Sequence, residues 1–172
     1  MSTFIVAGII IGFIIAVCLV LIRIHNKHNR RAMNNLLKHF SNLGTDNELS
    51  FSSQELLKNS MFGTDGNRRK ILVVTREDNF FGSFIIDLNQ VKNCSVQKTF
   101  RFIKSENQKH QKTEPYLDKI ALHFDLNSGS SVEIIFYKHS DNHIYELAEL
   151  ERKAEYWKAI FSRMLIPLQQ IA

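Results

Sequence analysis

Residues 116–138 read YLDKIALHFDLNSGSSVEIIFYK, and their alternation decides the fold class. Ile120, Leu122, Phe124 and Leu126 fall on one side of an extended chain, because successive side chains of a strand point to opposite faces. Asn127-Ser128-Gly129-Ser130 supplies a tight turn, and Ser131–Lys138 returns as a second strand. Such a hairpin needs its apolar face covered. The cover lies just downstream. Leu147, Leu150, Ala154, Trp157, Phe161 and Met164 recur at helical spacing, which predicts a helix over 144–165. Acids dominate its first half, and Lys158 and Arg163 sit toward its end, as the helix dipole favours. Asp141 is the expected N-cap and Pro167 the stop. Trp157 is expected to close the open side of the sheet.

Upstream the strand pattern continues. Lys70–Thr75 (KILVVT) is a continuous apolar run, the mark of a buried strand, and Phe80–Asp87 (FFGSFIID) pairs with it across the polar break Arg76-Glu77-Asp78-Asn79. Leu88-Asn89-Gln90-Val91 is a bend. In Cys94–Lys104 (CSVQKTFRFIK), Cys94, Val96, Phe100 and Phe102 share one face, with Cys94 a small core residue. Ser105–Pro115 is a polar loop. Ser52 and Glu55 form a capping box, with Phe51 and Leu56 at the staple positions, so a short helix is expected from Ser53 to Ser60. Gly63-Thr64-Asp65-Gly66-Asn67 is a turn cluster. Five strands followed by one helix is an α+β pattern.

The N-terminal end differs in kind. Residues 4–22 (FIVAGIIIGFIIAVCLVLI) carry no charge over nineteen positions. A bilayer core of about 30 Å takes roughly 20 such residues in a helix. Residues 1–24 are therefore expected to be a single transmembrane helix. No basic residue precedes the run and no small-x-small site follows it, so a cleaved leader is not expected. Gly8 and Gly12 form a G-x-x-x-G pair, a candidate helix–helix contact. Arg23, Lys27, Arg30 and Arg31 flank only the C-terminal side, which places the N-terminus outside and the rest in the cytoplasm. Those four cations either touch anionic lipid head groups or only set the topology. Residues 25–45 read as a basic juxtamembrane stalk, with Leu36, Leu37, Phe40 and Leu43 at helical spacing and Gly44 as its stop. Residues 46–172 read as the cytoplasmic domain, a unit expected to fold without the rest.

The net charge of +5 belongs to that short segment. Five Lys/Arg and no acid precede Asp46, and from Asp46 onward there are seventeen basic and seventeen acidic residues. A neutral domain argues against a nucleic-acid interface. Cys18 and Cys94 stand alone, which fits a reducing compartment. His139 and His143 straddle a turn with no third ligand nearby, so no metal is expected. No G-x-S-x-G, no neighbouring Cys/His pair and no glycine-rich phosphate loop is present. No catalytic residue and no cofactor is expected. Phe80 and Phe81 are adjacent in a strand, so one of them must point away from the core, and the pair is a candidate partner contact.

The run of short antiparallel strands closed by a helix bearing Trp157 resembles a pleckstrin-homology-like (PH-like) domain. The passage Phe84-Ile85-Ile86-Asp87-Leu88-Asn89-Gln90-Val91-Lys92-Asn93-Cys94-Ser95-Val96 is similar to the strand–bend–strand of such domains. With the apolar N-terminus, the chain also resembles single-pass bacterial membrane proteins that carry a PH-like domain inside the cell. The resemblance covers about residues 66–165 and the anchor. It implies seven strands, of which five are read above. Inositol-lipid-binding relatives carry several basic residues in the first hairpin loop, whereas residues 76–79 include Glu77 and Asp78.

Two functions compete at this stage. One is a membrane-anchored, non-catalytic interaction module, presenting the domain to a protein partner or to a second copy of itself. The other is an accessory structural subunit of an integral membrane complex, held through Gly8 and Gly12. In both, the lipid bilayer is a partner through the N-terminal helix, and nucleic acid is not.

Overall fold

The computed structural model describes residues 2–77, 80–104 and 113–165; for 2–12, 22, 25, 26, 28, 29, 103, 104, 113 and 114 it describes the backbone alone. A helix α1 (Ser2–Asp46) comes first. Four strands follow, β1 (Ser53–Leu56), β2 (Ser60–Asp65), β3 (Lys70–Glu77) and β4 (Phe80–Asp87). After a 3-10 turn at Leu88–Gln90 come β5 (Val91–Lys104), β6 (Thr113–Leu126) and β7 (Ser131–Lys138). A second 3-10 turn, Ile144–Glu146, leads into α2 (Leu147–Leu165). The strands form two antiparallel sheets, in the orders β1-β2-β3-β4 and β5-β6-β7. The α+β expectation holds, and the hairpins at 70–87 and 116–138 lie where the apolar pattern puts them.

The main core lies between the sheets. Phe62, Ile71 and Val73 from the first meet Cys94, Leu122, Phe124 and Phe136 from the second. Helix α2 covers the open side with Ala154, Trp157 and Phe161, all buried. Phe62 is the hub, its ring edge-on to Trp157 at 4.8 Å between centroids and to Phe136 at 5.8 Å. Polar contacts fix α2 on both sheets. Trp157 Nε1 donates to Glu55 Oε2 of β1 at 3.0 Å, and Lys153 Nζ reaches Glu55 Oε1 at 3.1 Å. Lys98 of β5 pairs with Glu151 at 2.7 Å. Arg69, at a positive φ of 53°, donates to the backbone carbonyl of Met164 at 2.6 Å.

Those contacts explain why residues 53–60 are not a helix. Glu55 does not cap a turn; its carboxylate is held by Trp157 and Lys153. Phe51 is not a staple, because its ring packs on Phe40 at 4.7 Å. The segment becomes β1 and the start of β2, and the 70–87 hairpin is the third in its sheet rather than the first.

A second cluster lies on the other face of the first sheet. Leu36 and Phe40 of α1 are buried there against Met61, Leu72 and Val74. This is why KILVVT is apolar without alternation: Ile71 and Val73 face the main core, and Leu72 and Val74 face α1. The end of α1 thus packs as part of the body. Gly44 does not stop the helix, which runs on to Asp46. Its absent side chain leaves room for Phe51, whose Cε2 lies 2.6 Å from where a Cβ would stand. Gly63 does the same for Phe40 and Phe51, at 2.6 and 2.8 Å. Gly63→Ala should cost about 1–3 kcal/mol in denaturant unfolding through overpacking, whereas Gly129→Ala should act only through its φ of +84°.

The transmembrane reading needs correction. Among the described residues no helix is long and apolar enough to cross a membrane. The described side chains of α1 begin with the nine residues Phe13–Leu21, after which comes Arg23. Nine residues in a helix cover about 14 Å, under half of a bilayer core. Residues 4–12 of the expected span, with Gly8 and Gly12, lie outside the described side chains. The single-pass span, the outward N-terminus and the cytoplasmic placement are not supported.

Candidate functional site

Where the two sheets diverge beside β7, a groove of about 120 Å³ opens. Leu57, Val73 and Phe136 line it, with Arg76, Glu133 and Lys138 also in its wall. A polar clip holds the turn between β1 and β2 to the turn after β7. Lys58 Nζ donates to the backbone carbonyl of Asp141, and Asn59 Nδ2 donates to Asp141 Oδ2 at 3.1 Å. Arg76 steadies Asn59 from β3, its guanidinium donating to Asn59 Oδ1 at 3.0 Å and its backbone N–H to Asn59 O at 2.7 Å. Asp141 is therefore a bridge between sheets and not the N-cap of α2. That end is organised by Glu146, which accepts from Asn142 Nδ2 at 2.9 Å and from the His143 backbone N–H at 3.3 Å. The Asn142 bond is the main reason the Glu146 carboxyl lies below the usual glutamate range.

Asp65, at the end of β2, is almost fully buried and accepts backbone N–H groups from Arg68 at 2.9 Å and Ser50 at 2.8 Å. These bonds, Arg68 first, hold its carboxyl below the usual aspartate range. The unfolded chain then binds the proton more readily than the folded one. The stabilisation is present above about pH 4 and is lost as pH falls through the folded value. Asp65→Asn should flatten the acid limb of the stability curve, read as denaturant midpoint against pH. Burial pushes the Cys94 thiol up to about 12. Cys94 should resist alkylation at pH 8 in the native protein and react once it is unfolded, a difference that mass spectrometry reads directly.

The residues singled out from the sequence fall into three places. Arg23, Lys27, Arg30 and Arg31 are exposed on α1 and, with Asn34, border one shallow depression. Phe80 is 79% exposed at the start of β4, whereas Phe81 turns back onto α1 and stacks on His39 at 5.0 Å. Gly8 and Gly12 lie in the stretch of α1 whose backbone alone is described. His139 packs on Tyr116 at 5.0 Å and His143 on Tyr145 at 5.1 Å. Among the described residues no three His, Cys, Asp or Glu side chains gather as metal ligands.

Phe100 and Phe102, which alternation puts on the face of Cys94 and Val96, are 54% and 66% exposed. The pairing of β5 with β6 slips between Thr99 and Phe100, and the two strands run on past the sandwich as a ribbon. Phe100 lies opposite Leu117 and Phe102 opposite Pro115, so these four share one face of it. The Lys98–Glu151 pair sets α2 along β5 and leaves the ribbon beyond the helix's cover. Strand propensity signals none of this, since an aromatic residue favours a strand whether or not anything lies above it. Comparison with protein families, with curated proteins and with solved structures finds no match.

Proposed function

We propose that this chain is a non-catalytic interaction module: a PH-like body that offers an aromatic-bearing β-ribbon to a protein partner. The two sheets of four and three strands, with a helix over the open side, support the PH-like part of the reading. The observation that carries the functional part is the exposure of Phe100 and Phe102 on one face of β5, an edge strand among the described residues. Large apolar side chains grouped in the open mark contact surfaces, whereas isolated ones are ordinary. Aromatic residues also dominate the energetic centres of interfaces. Phe80 is exposed singly at another strand end, so it carries less of the reading than the Phe100 and Phe102 pair.

The test is co-purification with the full chain and the double variant Phe100→Ser/Phe102→Ser. Because both side chains are already open to solvent, the variant should melt within a few degrees of the parent. It should lose proteins that the parent retains. A double variant that keeps every such protein, while staying folded, would remove the ribbon from the account.

A further inference from the structure

The groove beside β7 carries an inference of its own. β7 ends the order β5-β6-β7, so among the described residues its outer edge has no partner strand. In an antiparallel strand every second residue turns its N–H and C=O away from its neighbour, which leaves about four such residues along β7. Among the described residues, no backbone hydrogen bond joins β7 to the first sheet. An unpaired strand edge is complementary to one thing, another extended backbone. The groove lies next to that edge, and its 120 Å³ is somewhat less than the 150 Å³ or so that admits a benzene molecule. It has room for one small or medium aliphatic side chain.

We propose that β7 takes up an extended peptide as an added strand, with one aliphatic side chain of that peptide in the groove. Charge argues against a polyanion, because Lys58, Arg76 and Lys138 are matched there by Glu77, Glu133 and Asp141. A second copy of the chain paired through the same edge is the alternative that the self-association arm of the test separates. The inference rests on the interaction-module reading but uses a surface that Phe100 and Phe102 do not touch, so each can fail without the other.

The experiment selects binders for the full chain from a displayed library of random nine-residue peptides. Hydrogen exchange is then measured with and without the best binder. The expected result is at least tenfold slower exchange of amides within 131–138. Thr75→Trp, which fills the groove wall, should weaken binding at least tenfold, and Phe100→Ser/Phe102→Ser should leave it unchanged. If Thr75→Trp does not fold, exchange in the parent chain decides alone. Protection on β5 instead of β7 would overturn the proposal. So would a library that yields nothing above scrambled controls, or β7 protection that arises only from self-association of the chain.

Discussion

Trp157→Ala should cost the fold about 3–5 kcal/mol, the usual range for truncating a large buried aromatic. Trp157 is only 3% exposed and meets Phe62 edge-on at 4.8 Å and Phe161 in a stack at 5.4 Å. Its indole N–H satisfies Glu55, which also holds Lys153. The alanine variant therefore opens a cavity where three elements meet and leaves one Glu55 oxygen without its donor. A domain of this size has about 5–15 kcal/mol in all, so the variant should unfold at far lower denaturant. Lys158→Ala, one position on, loses only an exposed pair with Glu155 and should shift stability by less than about 0.5 kcal/mol. Equal losses from the two would remove α2 from the core. Fluorescence gives an independent reading: Trp157 is the sole tryptophan, so blue-shifted emission protected from iodide is expected.

The second large effect concerns the end of α1. Phe40 and Leu36 are buried against the first sheet, and Phe40→Ala should cost about 3–5 kcal/mol. Leu37→Ala, on the exposed side, should cost far less. A chain beginning at residue 46 loses the cover that α1 supplies over Met61, Leu72 and Val74. Such a fragment should aggregate or unfold at markedly lower denaturant than one beginning at residue 30, which retains Met33, Leu36, Phe40 and Leu43. Two fragments of equal stability, read by urea denaturation, would mean that α1 contributes nothing to the body.

The central hairpins and α2 were legible because one principle governs each: period two for the strands, period three to four for the helix. The continuous run at 70–75 was legible as a strand buried on both faces. What covered its second face was not, because Leu36 and Phe40 lie in a stretch whose cations and polar residues dominate its character. The capping box at Ser52–Glu55 failed for a tertiary reason, since Glu55 satisfies Trp157 from 102 positions away. The ribbon failed for a local one: the slip at Thr99/Phe100 changes what lies above the strand without changing its alternation. Of the candidate contacts, Phe80 was legible from adjacency in a strand. The clip of Lys58, Asn59 and Asp141 joins two turns far apart in sequence, and neither turn announces its partner.

The central claim, that the β5–β6 ribbon is the contact surface, is tested most directly by placing a photo-crosslinking phenylalanine analogue at position 102 of the full chain. A second chain carries the analogue at Tyr156, an exposed position on α2 away from the ribbon. After irradiation in cells, the account predicts discrete adducts from position 102 that are absent, or at least tenfold weaker, from position 156. It also predicts that adducts at 102 fade when Phe100 is changed to serine in the same chain. Equal adduct patterns from 102 and 156, or none from 102 in a folded protein, would contradict it.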